Sequence, residues 1–176
     1  MKIALIGPES VGKTTIGQRL AEQLSGVFVE EYARGYVERL GRDYTEADVE
    51  HIAKVQIAQL SADYPSDPVF FDTDLIITRV WFEHCWGRCP EFVKEAIDQH
   101  WVDAYLLFRP DLPFVSDPVR ENPDIREQLY DRYLELIRQT RLPYRIVSGQ
   151  GEERLRCALR ATSDLCSSPR EGRAER

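Results

Sequence analysis

Residues 7–14 read Gly7-Pro8-Glu9-Ser10-Val11-Gly12-Lys13-Thr14, a full G-x-x-x-x-G-K-T phosphate loop. Ahead of it lies Lys2-Ile3-Ala4-Leu5-Ile6, an apolar run of strand length. Behind it, Thr15 to Leu24 carries Ile16, Leu20, Ala21 and Leu24 at helical spacing. The loop therefore falls between a buried strand and a helix N-terminus, where its mechanism needs it. Gly7 and Gly12 let successive N–H groups turn inward around an anion, and the helix dipole adds positive potential there. Lys13 can bridge β- and γ-phosphates, and the Thr14 hydroxyl can ligate Mg²⁺. Nucleotide contacts are assigned to Gly7, Glu9, Ser10, Val11, Gly12, Lys13, Thr14 and Thr15.

Outward from the loop, strand-like and helical stretches alternate. Val27-Phe28-Val29 reads as a second strand ending in Glu30-Glu31, and Tyr32 to Leu40 as a helix stopped by Gly41. Thr45 opens a helix with Glu46 and Asp48 in its first turn and Val49, Ile52, Ala53, Ile57 and Leu60 on one face. Pro65 to Pro68 breaks it, and Val69-Phe70-Phe71 forms a third strand closed by Asp72-Thr73-Asp74. Helices follow over Leu75 to Trp86 and Glu91 to Gln99, then a fourth strand over Ala104 to Phe108. Asp124 caps a helix to about Gln139, Tyr144 to Val147 is a fifth strand, and a last helix runs from Gly151 to about Leu165. Helices between successive strands demand crossovers, hence a parallel sheet. The expected fold is a three-layer α/β sandwich of the P-loop NTPase type, with a five-stranded parallel sheet and an arginine-bearing lid loop. Residues 1–166 are expected to be one domain and residues 167–176 a disordered tail.

The bulk properties agree with one globular unit. The chain has 176 residues, 43% of them hydrophobic, and a net charge of −7. That acidity weighs against nonspecific nucleic-acid or anionic-membrane partners. No apolar run approaches the ~20 residues of a membrane span. The few apolar residues before the loop are too short for a signal peptide, so a cytoplasmic location is expected. Cys85, Cys89, Cys157 and Cys166 lack the paired spacing of a zinc site and read as reduced thiols.

In a parallel α/β sheet, ligands bind at the carboxyl ends of the strands. At the third strand's end, Asp72 can hold Mg²⁺ beside Thr14, with Asp74 as its understudy. Helix capping is the competing role for Asp72, Thr73 and Asp74. At the second strand's end, Glu31 can orient or deprotonate an acceptor hydroxyl, and Arg34 can hold substrate or phosphate. Glu30, Glu31, Asp72 and Asp74 all stay open as the base. Arg109 to Arg126 is a long irregular stretch with four prolines, the pattern of a lid. Arg120, central in it, is the candidate to close on the transferring phosphoryl group, whereas Arg126 belongs to the following helix. Aromatic density at Tyr36, Trp81, Phe82, Trp86 and Trp101 offers platforms for a flat, cationic heterocycle.

Taken in order, four blocks resemble the ribosylnicotinamide kinase domain of bacterial NadR-type proteins. They are the phosphate loop with Thr15, Glu31-Tyr32-Ala33-Arg34-Gly35-Tyr36, Phe71-Asp72-Thr73-Asp74, and Pro113 to Arg120. Asn122 to Arg126 and Leu142-Pro143-Tyr144 extend the likeness over roughly residues 1 to 160. The resemblance implies an ATP- and Mg²⁺-dependent kinase that phosphorylates the 5′-hydroxyl of nicotinamide riboside. It implies catalytic roles for Lys13, Glu31, Asp72 and Arg120, and Mg²⁺ contacts from Thr14 and Asp72. Tyr32, Arg34, Tyr36, Asp74 and Trp81 are then expected to contact the substrate. No adenylyltransferase or helix-turn-helix block precedes the loop, so neither activity is carried over. Two other readings share the motif: a kinase for another nucleoside or metabolite, and a regulatory ATP-binding module.

Overall fold

β1 (Lys2–Ile6) is the strand around which the sheet is built. It pairs in parallel with β3 (Val69–Asp72) on one side and β4 (Ala104–Phe108) on the other. β2 (Val27–Val29) adds outside β3, and β5 (Tyr144–Val147) outside β4. The order is β2-β3-β1-β4-β5, all parallel as the alternation of elements requires. These relationships come from a computed structural model, which describes residues 1–115 and 123–167. Arg120 and residues 168–176 lie outside the described residues.

The period of two along each strand divides the core into two layers. Ile3 and Leu5, with Phe70, Leu106 and Phe108, face a layer closed by α1 (Lys13–Gln23) and α7 (Gly151–Ser167). Ala4 and Ile6, with Phe71, Tyr105 and Leu107, face the opposite layer. That side is covered by α3 (Glu46–Ser61), α4 (Leu75–Trp86), α5 (Glu91–Asp98) and α6 (Arg126–Thr140). Residues 3–6 are all 0% exposed, which explains why β1 reads as continuously apolar rather than alternating. No helix among the described residues is long and apolar enough to cross a membrane.

Local signals set most boundaries. α2 (Tyr32–Leu40) ends at Gly41 in the left-handed conformation, φ 62°. Thr45 and Asp48 form a reciprocal capping box at the start of α3. α1 begins at Lys13, two residues ahead of the apolar periodicity, because Gly12 (φ 77°) serves as its N-cap. A short 3₁₀ turn, Pro123–Ile125, precedes α6, so Asp124 lies in that turn rather than capping the helix.

Candidate active site

The carboxyl ends of β1, β2 and β3 open into one cleft of about 370 Å³. Its floor is the phosphate loop. Gly7 leaves β1 against the end of β4, where a Cβ would lie 2.8 Å from the Phe108 carbonyl oxygen. Gly12 makes the left-handed turn into α1. Ser10, at the loop's tip, also has a positive φ of 58°. Its hydroxyl donates to the Val115 carbonyl and accepts from the Val115 N–H, both at 3.1 Å. The tip is thereby tied to a residue within the expected lid stretch.

The Lys13 ammonium donates to the Gly7 and Pro8 carbonyls at 2.7 and 3.0 Å. The side chain is half-buried beneath the loop. Burial lowers its pKa below the ordinary lysine value, opposed by the carboxylates of Asp72, Glu31 and Glu9.

Asp72, buried at the end of β3, accepts from the Thr14 hydroxyl at 2.5 Å through Oδ2. Its Oδ1 is buried with no hydrogen-bond partner. A carboxylate with one unshared oxygen beside a hydroxyl is a donor set that fits Mg²⁺. Burial raises the Asp72 pKa, and Lys13 and the Thr14 hydrogen bond oppose the rise. Thr73, next along, has φ 86°, an outlier for a β-branched residue that stores about 1–3 kcal/mol of strain in the cleft wall.

Glu31 lies at the junction of β2 and α2, in the cleft wall with Asp72 and Lys13. Burial raises its pKa; Lys13 lowers it and the Asp72 charge raises it further. Arg34, one helical turn on, is exposed on the same wall. Glu30 points elsewhere: it is exposed and absent from this wall.

Beyond the loop the cleft turns apolar and aromatic. Ile77, Val80, Trp81, His84 and Cys85 come from one face of α4, Val37 from α2, and Leu129 and Tyr133 from α6. Tyr44, on the turn between α2 and α3, meets Trp81 edge-on with ring centres 4.9 Å apart. That turn is held by Asp48, whose carboxylate takes a two-pronged contact from Arg42 at 2.7 and 2.9 Å. The Tyr36 hydroxyl donates to the same carboxylate at 2.9 Å. These partners, Arg42 foremost, hold the Asp48 pKa far below the usual carboxylate range.

Three expected substrate contacts are not in the cleft wall. Tyr32 and Tyr36 turn toward α3, where they cluster with His51. Asp74 is buried and caps α4, accepting from the Ile76 N–H at 2.8 Å. That is the capping role the sequence offered as the competing one for Asp74. Lys13, Thr14, Glu31, Arg34, Asp72 and Trp81 do converge there with the rest of the loop. The sequence reading placed Trp81 there but missed Tyr44 and Trp81's α4 neighbours Ile77 and His84, which recur with it at helical spacing.

Arg126 opens α6 and is nearly buried. It donates to the Leu112 carbonyl at 2.9 Å and lies 3.5 Å from the Ser10 carbonyl. It thus braces the loop tip from the lid's far base.

Solved structures with this fold include a NadR protein in complex with NR, at TM-score 0.74 and 23% identity. The alignment covers 99% of this chain and 54% of that one, so the chain spans about half the length of that protein. Another NadR structure, in complex with NAD and AMP-PNP, gives a TM-score of 0.72 at 22% identity, covering 99% of this chain and 51% of that one. A deoxyadenosine kinase from M. mycoides gives 0.66 at 15% identity, covering 93% of this chain and 100% of that one. Among curated proteins, no sequence matches the chain. A family model described as an AAA domain matches residues 2–154, most of the length. The chain therefore belongs to that AAA-domain family and carries the P-loop NTPase fold.

Proposed function

We propose that the chain is an ATP- and Mg²⁺-dependent small-molecule kinase whose acceptor is nicotinamide riboside, with residues 1–166 as its catalytic unit. The observation that carries this reading is the continuity of the cleft. A phosphate loop with a Thr14–Asp72 pair opens directly into an aromatic chamber flanked by Glu31. An ATPase switch has no need of such a chamber, whereas an acceptor beside the γ-phosphate does.

On this reading the loop N–H groups and Lys13 bind the β- and γ-phosphates. Thr14 and Asp72 would hold Mg²⁺, which neutralises phosphate charge when bound. Glu31 orients the acceptor hydroxyl and takes its proton as the oxygen bonds to the γ-phosphorus and the bond to ADP breaks. Among the four open carboxylates Glu31 suits the base best. Glu30 is outside the wall, Asp74 caps a helix, and Asp72 is engaged by Thr14. Arg34 neutralises phosphoryl charge from the α2 side, and Arg120 does so from the lid. Trp81 and Tyr44 supply faces and edges for a flat cationic ring, and the surrounding carboxylates favour its charge. The products are nicotinamide mononucleotide and ADP, formed in the cytoplasm.

The test is incubation with ATP, Mg²⁺ and nicotinamide riboside, read by mass spectrometry, with other nucleosides in parallel. Mononucleotide from the riboside alone supports the reading. Product from another nucleoside keeps the kinase and replaces the acceptor, a result the deoxyadenosine kinase likeness makes worth including. ATP binding without any nucleoside product favours a regulatory module.

A further inference from the structure

The largest fully buried side chain is not apolar. Arg154, on α7, is 1% exposed and stands behind the phosphate loop, outside the cleft wall. Its Nε donates to the Val11 carbonyl at 3.0 Å. Nη1 donates to the Gly149 carbonyl at 2.9 Å and to the Asp111 carboxylate, and Nη2 donates to the Arg109 carbonyl at 2.8 Å. The guanidinium also lies 5.4 Å from the centre of the Phe108 ring. Asp111 completes the knot by accepting from the Gly149 N–H at 2.8 Å. One side chain therefore joins the phosphate loop, the segment leaving β4 and the segment leaving β5.

We propose that Arg154 is a positioning residue for nucleotide binding: it fixes the Val11–Gly12 peptide so that the Gly12 N–H faces the phosphates. In a trans peptide the C=O and the following N–H point in opposite directions. Drawing the Val11 carbonyl back toward α7 turns the Gly12 N–H toward the cleft. A loop that binds anions through its N–H groups gains affinity from being held in that orientation before the anion arrives. Arg126 supports the preceding peptide from α6, through its 3.5 Å approach to the Ser10 carbonyl. A buried arginine with a single charged partner, Asp111, would be a costly device for packing alone. The planar fork matches carbonyls in three separate segments, which a lysine cannot do.

This inference rests on the nucleotide-binding half of the proposed function, and the experiment separates the two. ATP binding is measured by calorimetry without acceptor for the wild type, Arg154→Ala, Arg154→Lys and Asp111→Asn, with thermal melts alongside. Arg154→Ala is expected to lose at least about tenfold in ATP affinity, a loss of the size expected for one charge-assisted hydrogen bond. Millimolar guanidinium, which fits the vacated space, is expected to restore part of that loss and to leave the wild type unchanged. Should the alanine variant fail to fold, the lysine variant keeps a cation beside Asp111 but cannot also hold the Val11 carbonyl, and the same loss is expected. Asp111→Asn, which keeps the Val11 bond, is expected to bind ATP within about threefold of wild type. A folded Arg154→Ala or Arg154→Lys that binds ATP as tightly as wild type overturns the inference. A wild-type chain that binds no ATP overturns the nucleotide reading itself.

Discussion

Lys13 shows how a motif residue can be assigned from sequence while its surroundings are not. The motif assigns it to the β- and γ-phosphates but does not show that it is half-buried and bonded to the Gly7 and Pro8 carbonyls. On the proposed reading those carbonyls would give way to phosphate oxygens, and the lysine is held near that working position. Lys13→Ala should lower turnover by about a hundredfold or more, read as kcat from ADP release, with the fold retained. Asp74 gives a second test at this scale. Burial raises its pKa to about 7, against about 4 for an unfolded aspartate. Between those values the folded state holds the proton and the unfolded state does not, so stability falls as pH rises through this window. Asp74→Asn keeps the cap without the ionisation. Melting curves from pH 4 to 8 should show the variant near wild type at the acid end and more stable at the alkaline end. A residual slope should persist, because Glu31 and Asp72 are shifted in the same direction.

At the scale of elements, the two faces of α2 mark where sequence reading stops. Residues 32 and 36 and residues 33 and 37 make equally good helical stripes one residue apart, a rotation of about 100°. The sequence offers aromatic rings on one stripe and Ala33 and Val37 on the other, and the rings were expected in the pocket. The structure instead spends Tyr36 on the Asp48 carboxylate and gives Ala33, Val37 and Arg34 to the cleft. Asp48 collects Arg42, Thr45 and Tyr36, and only the folded turn reveals that convergence. The strand ends, by contrast, were legible, because apolar runs closed by acids have a local pattern. α4 carries the corresponding functional prediction. Trp81→Ala should raise the KM for the riboside by about tenfold while leaving the KM for ATP near wild type, measured with each substrate varied in turn. Equal changes in both would move Trp81 from acceptor contact to general packing.

For the molecule as a whole, one central strand serves both layers and the site. Leu5 is fully buried in the layer against α1 and α7, and its carbonyl accepts from the N–H of the strained Thr73 at 3.2 Å. Leu5→Ala should cost about 2–5 kcal/mol of unfolding free energy, measured by urea denaturation with the slope unchanged. The sheet order followed from the alternation of strands and helices only as far as its parallel sense. Which strand lies in the middle depends on long-range packing, which periodicity along the chain does not record. The bond between Arg154 and Val11 spans 143 positions in the sequence. During synthesis, Val11 is laid down long before Arg154. β1, β2, β3 and β4 are all made before the helix that pins the Val11 carbonyl exists. A nascent chain arrested ahead of α7 would display the complete phosphate-loop motif and its central strand without that restraint, so it should bind ATP at least about tenfold more weakly than the folded domain.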